Sequence, residues 1–494
     1  MDGLVIMALN LAASIQVRRN PTGWGPGSDL PASIQLVRAL GEGQSRFIDF
    51  SSSKLAEEED EYTTVEGKIQ SKSKYLSRRG LVPLKSIRGK VAQTFTNRPN
   101  AQLQKTLVKK IYREPSIQIR GEWVLVTELG KQQFDKLTFD PGEVTDLRKL
   151  TKVHTYNSAW DSIQVKKPIA LDTANVPVVP SNTSSTSEDA VMKELMASEN
   201  SGVFITDIIL ATLMTSLRAI HPWDILITKD GEKIVFDKQP NSTLEMITVN
   251  ENAAPEGLPE EEEREDSING QRELAKEALR VNRSFRSRAA TGDLCPEGVE
   301  MHPDDLQAES DRNCAYIGYK YRKWNLPGGA GNPPLPVIVR TEYDAYVRTN
   351  DEFVLLRAVN EYDGRITGSY RQKLENNRGQ LLSTEAKNNA CKLSKWALQA
   401  QLAGINSIRL GFVSRLEPRV NTKHVLLGIL PCLTTSFIGQ LNLNYANCWG
   451  VFRYIVELIR SQPNGRYYLL KDPNKQMVRL YRVPAESQPE QAVF

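Results

Sequence analysis

The sequence predicts an α+β protein: mixed or antiparallel sheets packed with a few long helices, preceded by an extended N-terminal arm. Three observations carry this. Strand-like alternations come in pairs joined by tight turns, as in "WDILITKDGEKIVFDK" around Asp230-Gly231, which is hairpin chemistry and not a βαβ crossover. Other long stretches repeat apolar residues at helical spacing. The first 114 residues have few strong apolar periods of either kind.

Residues 1–114 therefore form the arm. The start, "MDGLVIMALNLAASIQV", is mildly apolar, lacks a basic leader and carries Asp2. That argues against a signal peptide and for a short buried or partner-docking segment. "RNPTGWGPGSDLP" sets Trp24 between glycines and prolines. Such an isolated aromatic builds no core, but it can plug a pocket on another protein. The alternative is a local turn with Trp24 lying on the protein's own surface. From Lys68 to Arg113 there are thirteen Lys or Arg and no acid, the pattern of a tail that meets a polyanion.

Residues 115–484 carry the fold, and 485–494 are a tail. "SIQIRGEWVLVTEL" alternates as a strand. Residues 172–189, rich in Ser, Thr and Pro, predict a surface loop. "TDIILATLMTSLRAI" predicts one helix, N-capped by Thr206, with Asp207 in the first turn and Pro222 as its stop. After the Asp230-Gly231 hairpin, residues 250–268 form an exposed loop holding "EEEERED", Glu260 to Asp266. "GQRELAKEALRVNRSFRSR" is a second helix. Leu274, Ala278, Val281 and Phe285 make its apolar stripe, and Arg272, Lys276, Arg280, Arg283 and Arg286 populate its other faces.

Residues 292–334 look irregular. "PVIVRTEYDAYV" and "EFVLLRAV" form a hairpin. "NNACKLSKWALQAQLAG" is a helix ending at Gly404. "SIRLGFVSR" and "HVLLGIL" are strands, "NYANCWGVFRYIVELIRS" is a strongly amphipathic helix, and "RYYLLKDPNKQMVRLYRV" closes the domain as a hairpin.

The net charge of +4 conceals one basic block and one acidic block. With 40% hydrophobic and 25% charged residues the chain suits a globular protein. No uninterrupted apolar run approaches the roughly 18 residues that cross a bilayer, so no membrane partner is expected. The cysteines (Cys295, Cys314, Cys391, Cys432, Cys448) form no CxxC pair, and the four histidines are scattered. A disulfide framework or zinc site is not expected, a reducing compartment is, and no cofactor is implied.

Two pairs of residues raise a chemical question. Glu342 and Asp344 stand two apart in the strand-like "RTEYDAY". On a strand they face one way and could share a hard cation. "TEAKNN" then sets Glu385 and Lys387 two apart, at the mouth of a helix. Acid-x-acid followed by acid-x-lysine is how a family of metal-dependent nucleases arranges its ligands. No further upstream acid stands in a convincing motif, so the four residues are either half of a magnesium site or a remnant ion-pair cluster. Trp223, Trp324, Trp396 and Trp449 could stack on a base. Trp396 and Trp449 sit on apolar helix faces, as core residues do. Trp324, in the basic-flanked "YKYRKWNLPGG", is the one expected to meet RNA.

Four long segments, "GVFITDIILATLMTSLRAIHPWDILI", "KIVFDKQPNSTLEMITVNENA", "TEAKNNACKLSKWALQAQLAG" and "YYLLKDPNKQMVRLYRVP", closely resemble the d-subunit family of eukaryotic translation initiation factor 3, and "NPTGWGP" fits it too. The resemblance implies a cytoplasmic component of the initiation complex on the small ribosomal subunit, the 43S preinitiation complex. It implies an N-terminal tail docked on the neighbouring e subunit. It also implies a folded part similar to decapping exonucleases of the DXO/Rai type, which binds the methylated cap of selected mRNAs and does not cleave it. By position, the acidic stretch 250–268 is the candidate for a loop that gates the RNA path.

The same resemblance nominates cap contacts from two helices: Asp207, Ile220 and His221 on the first, and Leu279, Asn282 and Arg283 on the second. Leu279 and Arg283 depart from the family pattern, which has a small hydroxyl residue and a histidine there. Arg272, Lys276, Arg280 and Trp324 are the candidate RNA contacts. On one continuous helix, Asp207 and His221 would share a face about 21 Å apart along the axis. Two other classes of function stand beside this one: a metal-dependent cap-removing exonuclease built on Glu342, Asp344, Glu385 and Lys387, and a purely structural subunit without cap affinity.

Overall fold

The computed structural model describes residues 115–150, 153–174, 176, 184–239, 242–251, 268–295, 317–327, 334–364 and 369–484. Trp24 with the rest of the arm, the acidic run Glu260 to Asp266 and the 485–494 tail lie outside them.

In chain order the elements are β1 (Val124–Gly130), the single turn α1 (Lys131–Phe134), β2 (Val144–Leu150), β3 (His154–Tyr156), β4 (Ile169–Asp172), α2 (Ala190–Ser198), β5 (Gly202–Thr206), α3 (Asp207–Met214), β6 (Asp224–Asp230) and β7 (Lys233–Asp237). Then come α4 (Gln271–Ala289), β8 (Ala290–Leu294), β9 (Gly318–Leu326), β10 (Leu335–Tyr343), β11 (Ala345–Val347) and β12 (Glu352–Glu361). Three helices follow, α5 (Tyr370–Asn376), α6 (Arg378–Asn388) and α7 (Ala390–Leu402). The chain continues through β13 (Ser407–Arg415), β14 (Lys423–Leu433), α8 (Thr434–Gln440), α9 (Tyr445–Arg460), β15 (Gly465–Lys471) and β16 (Met477–Val483).

The strands form two sheets. One has nine strands in the order β1-β16-β15-β6-β7-β5-β10-β9-β2, the other seven in the order β4-β14-β13-β12-β11-β3-β8. Both are mixed, as the sequence predicts: β10 runs parallel to β5 and β12 parallel to β13, whereas β9–β10 and β13–β14 are antiparallel. One stretch of chain belongs to both sheets. β10 ends at Tyr343 in the larger, β11 begins at Ala345 in the smaller, and Asp344 alone makes the step. Helix α7 packs on β10 and on β12, so it fills the angle beside that step.

Each sheet has its own core. Trp449, Phe452 and Ile455 of α9 and Leu398 of α7 pack with Phe236 and Val337 of the larger sheet. Leu393, Trp396 and Ala397 of α7 pack with Leu355 and Phe412 of the smaller. Val281 and Phe285 of α4 cover the opposite face of the smaller sheet, against Leu356 and Ala358. Each of the larger of these side chains contributes roughly 1.5–3 kcal/mol by leaving water, each alanine less. Helix α7 stops where predicted: Gly404 has φ +64°, and a Cβ there would meet the Arg322 guanidinium at 2.9 Å, so the cap favours glycine.

Several expectations are corrected. The helix expected to run to Pro222 ends at Met214, followed by a 3₁₀ turn at Ser216–Arg218. The hydroxyls of Thr212 and Thr215 donate back to the carbonyls of Ile208 and Ala211, both at 2.7 Å, a local competitor to the helix ladder. His221 lies beyond the end, so it shares no helix face with Asp207. The stretch 292–334 is not irregular throughout, because it holds the end of β8 and all of β9. The expected surface loop is partly inside: Asp172, Ala174 and Glu188 are exposed, but Thr186 is buried and donates to the Phe236 carbonyl at 2.6 Å, and Asp189 is buried and caps α2. "TEAKNN" does not open a helix; its first residues make the last turn of α6.

Candidate functional site

The site gathers on Glu342-Tyr343-Asp344, where the chain passes between sheets. The β11–β12 hairpin brings Arg357 across from Asp344, because Ala345 pairs with Val354 and the Asp344 N–H donates to the Val354 carbonyl at 3.0 Å. Asp344 is 3% exposed. Its Oδ2 accepts from the Leu356 N–H at 2.8 Å and from Arg357 Nη1, and its Oδ1 accepts from Arg286 Nη1 of α4 at 3.3 Å. Guanidinium and amide hydrogens thus stand where a hard cation would have to bind, so this carboxylate does not fit a metal.

Asp207, first residue of α3, meets the same segment from the other sheet. It is fully buried; Oδ2 accepts from the Glu342 N–H at 3.1 Å and Oδ1 from Gln399 Nε2 of α7 at 3.4 Å. Burial first, and the Glu342 carboxylate second, push the Asp207 carboxyl up to about 7. Glu342 is half-buried and is also raised by burial, with Arg340 pulling the other way. The two carboxyls titrate as a pair. Arg340 is itself held by Asp189 at 2.7 Å.

Glu385 serves a different neighbourhood. It is 3% exposed and accepts from Asn389 Nδ2 at 2.8 Å, with the Tyr370 hydroxyl also bonded to it. Lys387 is exposed. Around the α6–α7 junction, Glu251 accepts from the N–H groups of Cys391 (2.9 Å) and Lys392 (2.7 Å), and Lys392 Nζ donates to the Thr248 carbonyl at 2.6 Å. Burial pushes the Lys392 ammonium down to about 8, while Glu385 and Glu251 pull it back up. This cluster clamps residues 248–251 onto the start of α7.

The nominated cap and RNA residues divide by burial. Leu279 is 5% and Asn282 3% exposed. Asn282 Nδ2 donates to the carbonyls of Ala278 (3.0 Å) and Ala358 (2.9 Å), and its Oδ1 accepts from the Ala358 N–H (2.9 Å), so it pins α4 to β12. Ile220, His221, Arg280 and Arg283 are half-buried and Arg272 is exposed. Lys276, half-buried, pairs with Glu273 at 2.5 Å. Trp324 is a correction. It is 3% exposed on β9, its ring 5.4 Å from that of Trp449 and the Arg322 guanidinium 5.6 Å above it, so it offers no face to a base. Trp223, Trp396 and Trp449 are buried as well.

The two nominated helices do converge on one segment, α3 through Asp207 on Glu342 and α4 through Arg286 on Asp344. In the sequence Arg286 stands out only as another basic residue, and Arg357 belongs to no motif. A signal for Arg357 existed: a cation in the middle of the apolar strand "FVLLRAV" needs a buried partner. Among the described residues no group of three or more His, Cys, Asp or Glu could hold a metal ion. No helix among them is long and apolar enough to cross a membrane.

Comparison with known proteins adds the following. The family model of eukaryotic translation initiation factor 3 subunit 7 matches residues 50–482. The D subunit of eukaryotic translation initiation factor 3 from Pyricularia oryzae is 38% identical over 390 residues, covering 76% of this chain and 66% of the relative. The same subunit from Phaeosphaeria nodorum is 36% identical over 396 residues, covering 77% of this chain and 68% of the relative. The chain thus spans about two thirds of the length of these relatives. Among solved structures, S. pombe Rai1 aligns at a TM-score of 0.42 and 13% identity over 72% of this chain and 99% of its own. Dxo1 of K. lactis aligns at a TM-score of 0.41 and 9% identity over 74% of this chain and 99% of its own.

Proposed function

This chain belongs to the eukaryotic translation initiation factor 3 subunit 7 family, and from that premise we propose that it is a cytoplasmic subunit of initiation factor 3 that holds the capped 5′ end of an mRNA without cutting it. In this reading the folded part contacts capped mRNA. The basic arm and Trp24 tether it to other subunits, the e subunit among them, and to the small ribosomal subunit.

One observation carries the non-cleaving half. A metal-dependent nuclease needs acids free to hold the cation that polarises the phosphate. Asp344 is instead spent on Arg286 and Arg357, and Glu385 on Asn389. The cap-holding half rests on the family and on what stays accessible. Of the six nominated cap residues, Ile220, His221 and Arg283 keep part of their surface. The arginine can donate to the cap's phosphates. Asp207, Leu279 and Asn282 are buried and support the fold beneath that surface.

The test is cross-linking of the full chain to cap-labelled RNA, competed with methylated and unmethylated cap dinucleotides. The methylated competitor is expected to be about tenfold more effective, a difference of about 1.4 kcal/mol. Equal competition would support the purely structural alternative. Release of cap product in Mg²⁺ or Mn²⁺, lost on Glu385→Gln, would support the nuclease.

A further inference from the structure

The nine-stranded sheet has two outer edges, and they differ in a way the cap site does not explain. Among the described residues β2 pairs only with β9, and β1 only with β16. Both edge strands carry a bulge, so the bulge does not distinguish them. Side chains do. β2 places Asp146, Arg148 and Lys149 within seven residues, all exposed. Charge on an edge is the usual protection against strand addition. β1 reads "VLVTELG", with Glu128 as its single charge and no proline.

Exposed aliphatic side chains gather there as well. Val124 is 59%, Leu125 46% and the preceding Ile119 45% exposed, three of the seven large hydrophobic side chains most open to solvent among the described residues. Beneath them the edge is firm: Trp123 stacks on Tyr468 with ring centroids 4.5 Å apart, beside Tyr481. The charges on β1 and just beside it in sequence are matched, although Arg482, opposite Val124 on β16, is exposed without an ion pair among the described residues. Glu122 lies 3.9 Å from Arg120, Glu128 2.7 Å from Arg479 and Lys131 4.0 Å from Asp135. Among the described residues the edge strand therefore presents a row of unpaired main-chain N–H and C=O groups, apolar side chains and no unmatched charge of its own.

We infer that β1 is the docking edge for an extended, uncharged, apolar strand from another subunit of initiation factor 3, added to the sheet by main-chain hydrogen bonds. A strand is the one partner conformation whose own N–H and C=O groups complement such an edge along its length. Seven residues give it about 23 Å of contact. The inference rests on the subunit reading above and adds a contact surface to it.

The experiment is amide hydrogen exchange on the full chain, alone and within reconstituted initiation factor 3, for the wild type and for the pair Val124→Lys and Leu125→Lys. Both positions are exposed, and unchanged exchange in β5 and β13 verifies the fold of the variant. Wild-type β1 amides that point away from β16 are expected to slow about tenfold on assembly. The variant is expected to lose that protection and to assemble about tenfold more weakly. Equal exchange of β1 in the free and assembled chain overturns the docking edge while leaving the subunit reading intact. So does a homodimer of the free chain that the variant dissolves, since a second copy would then occupy the edge. A wild-type chain that never enters the assembly overturns both.

Discussion

Glu385 and Lys387 leave opposite sides of the same helical turn, the glutamate 3% exposed and bonded to Asn389, the lysine exposed. Two residues along a strand return to the same face, but two along a helix turn about 200°. The acid-x-lysine spacing therefore builds a shared site only on a strand, and here it falls in α6. Glu385→Ala is expected to cost about 2 kcal/mol by stranding the Asn389 amide and Tyr370 hydroxyl. Lys387→Ala is expected to stay within about 0.5 kcal/mol. Urea unfolding separates the two; equal costs would place both side chains in one cluster.

Arg357 faces Asp344 in a nearly dry setting, with side chains 8% and 2% exposed. Arg357→Ala leaves a buried carboxylate with one more distant guanidinium and is expected to cost about 3–5 kcal/mol. Arg286→Ala should cost less, because that pair is longer (3.3 Å) and its arginine more open. Replacing Asp344 and Arg357 together by apolar residues should recover most of the loss. Strict additivity of the two single changes would contradict a direct pair.

Asp207 carries a pH signature. Its folded carboxyl is raised to about 7 from an ordinary 3.8, chiefly by burial. Between those values the folded state holds a proton that the unfolded state has released. Stability should therefore fall as pH rises from about 4 to about 7 and level off above. Asp207→Asn keeps the acceptor for the Glu342 N–H and should flatten that slope, with the largest gain in melting temperature near pH 8. A slope of the same size in the variant would assign it to another group, Glu342 first.

Trp324→Ala should lower stability by about 3–5 kcal/mol, the cost of an aromatic removed from a core. The RNA affinity of the fraction that remains folded should not change. A loss of affinity at unchanged stability would restore Trp324 as a stacking residue.

Asn282 and Arg283 are neighbours in sequence with separable roles. Asn282→Ala breaks two hydrogen bonds between α4 and β12 and one within α4 and should cost about 2–3 kcal/mol. Arg283→Ala should leave melting within a degree or two and weaken capped-RNA binding about tenfold, or about 1.4 kcal/mol. Calorimetry beside RNA titration distinguishes them.

The features legible in the chain were local in origin. The β6–β7 turn at Gly231, the closing β15–β16 hairpin, the inward stripe of α4 and the stop of α7 at Gly404 all follow from periodicity and turn residues a few positions apart, where chain geometry alone sets the outcome. Packing between distant segments settled the rest. Trp324 is core because α9 brings Trp449 against β9, and Asp344 is neutralised because α4 delivers Arg286 from 58 residues away. Asp207 meets Gln399 across 192 residues. A charged residue's chemistry depends on its burial and its partner, and both are set by contacts between segments that no local pattern brings together.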